Sequence, residues 1–142
     1  MPTHTFPEAD ALADLADQFT AVSIALYHFR CFNTLTAEEA RTIRDKGEVP
    51  LDTLANLLRA QAIDQVVQTA RARSAELEAA LKHAEGTLET IKEFKAAIDI
   101  AAKVVNLGGA ILSGQPKAVL EAIKALKPKT KAKSAELAEA GG

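Results

Sequence analysis

Few side chains in this chain of 142 residues have the type and spacing that chemistry requires. His28 and Cys31 lie one helical turn apart, and together they would supply two of the four ligands of a tetrahedral zinc site. The other two ligands would have to come from His4 and His83, which are distant in the sequence. We therefore interpret His28 as a residue at the edge of an apolar helix face, and Cys31 as a buried thiol that packs like a small hydrophobic group. We expect no metal site and no cofactor.

The segment 109–114 has the glycine spacing of a phosphate-binding loop. In such loops a Lys and a Ser or Thr follow the second glycine, because they contact the phosphates and the magnesium ion. Gln115 and Pro116 occupy those two positions in this chain, so we do not expect nucleotide binding.

Groups suited to acid, base or nucleophilic catalysis are also scarce. A cysteine nucleophile needs a well-oriented base and donors for an oxyanion, and a Cys31–His28 pair on a single helix rarely has either. The carboxylates of Glu85, Glu89 and Glu93 recur at helical spacing, which is typical of a solvated helix face. We predict that the protein is not an enzyme.

The C-terminal region is rich in lysine, with residues at Lys124, Lys127, Lys129, Lys131 and Lys133. Such a stretch can neutralise the phosphates of nucleic acid or of anionic lipid. However, no aromatic side chain is interleaved with it for base stacking, and the formal net charge of the whole chain is −2. We interpret 128–142 as a flexible, solvated tail. On this basis we do not expect nucleic acid as the main partner, and a nucleic-acid accessory role is the third hypothesis for function.

The composition specifies the class of elements that must position these residues. Alanine occurs 29 times, and it is the best helix former because it loses no side-chain entropy in a helix. No segment alternates apolar and polar residues as a half-buried strand does. We therefore predict an all-α fold, either a helical bundle or a coiled-coil hairpin with one long central helix.

The single cysteine excludes an intramolecular disulfide and favours a reducing compartment. The N-terminal residues also lack the basic and apolar regions of a secretory signal. We expect a cytoplasmic protein.

The N-terminal third is predicted to form two helices after a tail at 1–6. In the first helix, at 8–32, hydrophobic residues recur every three or four positions, and Tyr27 and Phe32 widen this apolar face. A Thr-Ala-Glu-Glu capping box at 36–39 opens the second helix, at 37–46.

This second helix is predicted to stop early. Gly47 would serve as its left-handed cap, because glycine adopts positive φ without a Cβ clash. Pro50 then opposes further helix, and Asp52 is the next N-cap.

Hydrophobic residues recur every seven positions beyond Asp52, at Ile63, Ala70, Leu77, Ala84, Ile91, Ile98, Val105 and Leu112. A sustained heptad indicates helices that supercoil around a partner surface. We predict a helix over 52–107 that is either continuous through Gly86 or broken there. A continuous helix would be about 80 Å long and would need a second chain to cover it. The predicted interface consists of Ile63, Leu77, Ile91, Phe94, Ile98 and Val105.

The segment 96–126 forms a second apolar region, with a final helix predicted at 116–127. Its layout is similar in general architecture to the apolar hairpin of helical pore-forming proteins, with Ile111, Leu112, Val119 and Leu120 as the membrane-facing residues. Asp99 and Lys103 argue against a helix that spans a bilayer. A membrane-active subunit is therefore the second hypothesis.

Together these patterns predict a single all-α domain over 7–127. Its expected function is that of a non-enzymatic helical interaction or assembly subunit. Its expected partner is another protein or a second copy of itself, bound through apolar faces.

Overall fold

The computed structural model describes residues 7–60 and 64–126, which form helices joined by short turns, with no strand in these ranges. The elements are α1 (Pro7–Phe32), α2 (Ala37–Ile43), a π-helical turn (Arg44–Glu48), α3 (Val49–Ala60), α4 (Asp64–Ala72), α5 (Ser74–Thr90), α6 (Phe94–Ser113) and α7 (Pro116–Leu126). The predicted all-α helical bundle is confirmed.

Helix α1 is the centre of the bundle, and it contacts α3, α4, α5 and α6. The hydrophobic positions that recur along it are all buried, namely Leu12, Leu15, Phe19, Val22, Leu26 and Phe29. Asp17 pairs with Arg59 near the end of α3, and Arg30 pairs with Glu48 just before α3 begins, so α3 runs antiparallel to α1. The spacing of three and four residues therefore identified these six core positions correctly.

The capping box at the start of α2 is confirmed. The Glu39 amide donates to the Thr36 hydroxyl at 3.0 Å, and the Thr36 amide donates to the Glu39 carboxylate at 3.0 Å. These two bonds satisfy amides that an α-helix leaves without partners at its first turn.

The predicted helix stop at Gly47 is wrong, because the backbone continues through the π-helical turn into α3. Gly47 does not have positive φ, and it is buried inside this turn. A π-helical turn shifts the backbone hydrogen bonds by one residue, which gives the ring of Pro50 room that a regular helix denies it. Asp52, predicted as an N-cap, lies within α3.

The single helix predicted over 52–107 is also wrong. The chain leaves helical geometry at Arg73 (φ −120°, ψ 22°) and again between α5 and α6, whereas Gly86 lies inside α5. Near the second break, the Thr87 and Thr90 hydroxyls donate to backbone carbonyls at 2.8 and 3.0 Å. Such bonds compete with the backbone pattern of the helix. The breaks let the apolar residues fold back onto α1 and α3 instead of requiring a second chain.

The heptad period survives these breaks, but its register changes. In α5 the predicted positions Leu77 and Ala84 are buried. In α6 the predicted positions Ile98 and Val105 are only partly buried. The core of α6 is displaced by one residue and consists of Ala97, Ala101, Val104, Leu107, Gly108 and Ile111.

Helices α6 and α7 form the predicted hairpin. Gly114 (φ 71°) caps α6 in the left-handed conformation, and Pro116 begins α7. The helix predicted at 116–127 is described as far as Leu126. Ile63, the tail at 1–6 and the tail at 128–142 lie outside the described residues.

Candidate interaction surface

Those heptad residues of the predicted interface that the structure describes lie in or against the chain's own core. Leu77 is fully buried. The partly buried residues Ile91, Phe94, Ile98 and Val105 pack against the same core. Most of the area of these side chains is therefore covered within the chain, and a more exposed apolar surface lies on α1.

The hairpin residues predicted to face a membrane also differ in how deeply they are buried. Ile111 and Val119 are fully buried, whereas Leu112 and Leu120 are partly buried. The two buried side chains pack within the bundle and are closed to lipid in this arrangement.

The most exposed large hydrophobic side chain in the described part of the chain is Phe32, at 80%. Ile24 and Tyr27 are about half-exposed on the same helix. His28 and Cys31 are exposed as well, so the expectation of a buried Cys31 thiol is wrong. We call Ile24, Tyr27, His28, Cys31 and Phe32 the α1 aromatic face.

The rings of this face contact one another. The Tyr27 and His28 ring centroids are 5.8 Å apart, as are those of His28 and Phe32, and both pairs are tilted by about 50°. This geometry is one that aromatic pairs favour. The Arg30 guanidinium lies 5.0 Å from the Tyr27 centroid, within the range of a cation–π interaction. The exposed rings are therefore held in a defined arrangement.

A cavity of about 460 Å³ adjoins Phe32, between the end of α1 and the turn that joins α5 to α6. Its walls include the apolar side chains of Phe29, Leu88 and Ile91, and its lining also includes Glu89 and Lys92. The cavity lining is about half polar, and its apolar walls adjoin the α1 aromatic face at His28 and Phe32. That combination is typical of protein interaction sites.

The other side of α1 is closed by the π-helical turn. Arg30 makes a bidentate ion pair with Glu48, with Nε–Oε2 and Nη2–Oε1 distances of 2.6 and 3.0 Å. The hydrogen bonds that Arg30 donates to the Glu48 carboxylate raise the pKa of Arg30 above its usual value. The Ser23 hydroxyl donates to the Glu48 carbonyl at 3.3 Å. These contacts fix the end of α1, and with it the exposed rings.

Sequence reasoning placed Tyr27 and Phe32 in the core face of α1, and the structure corrects this. The apolar residues cover more of the circumference of α1 than its neighbours enclose. The signal in the sequence was the width of this apolar face, because a helix with a wide apolar face needs more than one neighbouring element to bury it.

The described residues were also compared with the requirements of a membrane-spanning helix and of a metal site. Helix α6 is the only described helix long and apolar enough to cross a membrane, and 33% of its most apolar stretch is buried. Within the described part of the chain, His, Cys, Asp and Glu do not gather in groups of three that could hold a metal ion.

No known protein family, curated protein or solved structure matches this chain. Its function is therefore inferred from its own residues.

Proposed function

We propose that this protein is a non-enzymatic helical interaction subunit that binds an apolar partner surface through the α1 aromatic face. The observation that supports this most strongly is Phe32, which is 80% exposed beside a cavity with apolar and polar walls. Covering a phenylalanine side chain is worth about 1.5–3 kcal/mol, so a partner that covers it gains affinity. Aromatic side chains at the centre of a surface are frequent binding hot spots.

The proposal moves the interaction surface from the heptad residues to α1. Leu77 and its neighbours on α5 stabilise the fold, and their side chains are occupied within the chain. The residues of the α1 aromatic face can be covered without unfolding, since their exposed surfaces make no contribution to the core.

Photo-cross-linking tests this proposal directly. A benzophenone side chain at position 32 should capture a discrete protein adduct in purified protein or in the native host. The matched control is position 57, because Leu57 is a partly exposed hydrophobic residue on α3, away from this face. Absence of an adduct at position 32, or equal capture at both positions, would contradict the proposal.

A membrane-active subunit is the second candidate, and the exposure of α6 favours it. Most of the apolar stretch of α6 is not fully enclosed by the bundle, and its length suits a bilayer. Ile111→Glu is an unsuitable probe because Ile111 is fully buried. Ile100, which is partly buried, is a better position.

Leakage from anionic vesicles tests this second candidate. Wild-type protein should release an entrapped dye, and a folded Ile100→Glu variant should release much less. Intact vesicles with folded wild-type protein would exclude the membrane role. DNA binding through the lysine-rich tail stays a prediction, since 128–142 lies outside the described residues.

A further inference from the structure

We infer that the partner on the α1 aromatic face is a second copy of this chain. The two copies dock about a two-fold axis, so that Phe32 of each copy enters the cavity of the other. This inference rests on the proposed interaction function and specifies its partner.

The exposed side chain of Phe32 lies directly beside the cavity at the end of α1. Phe32 is the most protruding apolar side chain of the face, and it also forms part of the cavity lining. A two-fold interface uses the same patch on both subunits, so the patch must complement itself. A surface that carries both an exposed aromatic side chain and a cavity with the apolar walls Phe29, Leu88 and Ile91 meets this requirement.

The cavity lining carries one acidic and one basic side chain. Glu89 and Lys92 are exposed in the lining, and neither makes an ion pair with a described residue. One acid and one base leave the patch close to neutral, so two copies do not repel each other there. A two-fold axis can place Glu89 of one copy opposite Lys92 of the other, and the reverse pair follows by symmetry.

Three exposed side chains of the α1 aromatic face are evenly spaced along α1. Ile24, His28 and Phe32 follow one another at intervals of four residues, so they lie along one side of the helix. Phe32 and the cavity both lie at the C-terminal end of this side, so a two-fold axis close to Phe32 brings each ring to the cavity of the other copy and leaves Ile24 at the edge of the contact.

Sedimentation equilibrium of the full chain, from low to high micromolar concentration, tests the inference. The wild type, a chain of 15.1 kDa, should show a reversible shift towards twice that mass. Phe32→Glu removes two symmetric contacts and introduces charge into both cavities, so the dissociation constant should rise by about a hundredfold. Leu57→Glu, a charge at a partly exposed position on α3, should leave the dissociation constant unchanged.

Charge exchange tests the symmetry itself. Glu89→Lys and Lys92→Glu each place like charges opposite one another, and each should weaken association roughly fivefold. The double variant exchanges the two signs and should restore association. Both positions are exposed, so circular dichroism should show unchanged helix content in all three variants.

The outcomes separate this inference from the proposed function. A chain that remains monomeric at every concentration overturns the second copy as the partner. If position 32 then still cross-links a different protein at a defined mass, the proposed function survives with another partner. Equal weakening by Phe32→Glu and Leu57→Glu, or a double charge variant that associates no better than the single variants, also overturns the inference.

Discussion

The two sides of the last turns of α1 differ in how they are covered. On one side, Arg30 and Ser23 bind Glu48, and the π-helical turn lies against the helix. On the other side, His28 and Phe32 are exposed next to an open cavity. We call the side of α1 that the π-helical turn covers the closed side, and the side that carries His28 and Phe32 the open side.

This difference shows how a small bundle can present a defined apolar surface. An exposed ring on a mobile segment would lose conformational entropy when it binds. Here the closed side holds the helix in place, so the exposed rings are positioned before a partner arrives. The closed side determines the stability of the fold, and the open side is available for binding.

The largest expected effect comes from removing the core on which both sides depend. Leu77→Asp places a charge at a fully buried position, and it should cost about 5 kcal/mol or more and unfold the chain. Circular dichroism and urea denaturation measure this. A folded Leu77→Asp variant with an altered oligomeric state would return the interface to the heptad residues.

The closed side is tested by removing its ion pair. Glu48→Ala leaves the Arg30 guanidinium partly buried without its bidentate partner, and it should lower the free energy of unfolding by about 2–3 kcal/mol. Glu48→Gln keeps an acceptor and should lose less. Urea denaturation distinguishes the two variants. Equal stabilities of wild type and Glu48→Ala would show that the ion pair does not close this side.

The close approach at Gly47 has a smaller expected effect. A Cβ atom there would lie 2.8 Å from Leu26 Cδ1 and 3.3 Å from Ala101 Cβ, and both neighbours are buried. Gly47→Ala should therefore cost about 1–2 kcal/mol through overpacking. The control is Gly86→Ala, whose Cβ meets no other atom within 4 Å.

Thermal unfolding of the two glycine variants gives opposite signs. Gly86→Ala should stabilise the chain by about 0.5–1 kcal/mol, because alanine is the better helix former. If Gly47→Ala also raised the melting temperature, the π-helical turn would not be tightly packed against α1.

The smallest effect on stability is expected on the open side. Phe32→Ser should change the free energy of unfolding of dilute monomer by less than about 0.5 kcal/mol, because this side chain is 80% exposed. Urea denaturation at low protein concentration measures it. A loss of about 2 kcal/mol or more would show that Phe32 belongs to the core, and the contrast between the two sides would disappear.

Local patterns predicted those features that depend on neighbouring residues. The helix class, the core face of α1 and the capping box at Thr36 follow from propensity, periodicity and capping chemistry. The start of the final helix at Pro116 belongs to the same group.

Features that depend on distant residues were not predictable. Gly47 resembles a helix cap in the sequence, but it is needed because Leu26 and Ala101 approach it closely. The heptad persists across the α5–α6 turn, yet the turn displaces its register by one residue in α6. Phe32 is exposed because no described element covers that sector of α1, which only the tertiary arrangement reveals.

Hydroxyl-radical footprinting across a range of protein concentrations is the most direct test of the open side as the site of self-association. We predict that oxidation of Tyr27 and Phe32 falls as the concentration rises, while oxidation of the exposed residues Val49 and Leu57 on α3 stays constant. Unchanged oxidation of Phe32 at concentrations where the chain is dimeric, or equal protection of all four residues, would contradict it.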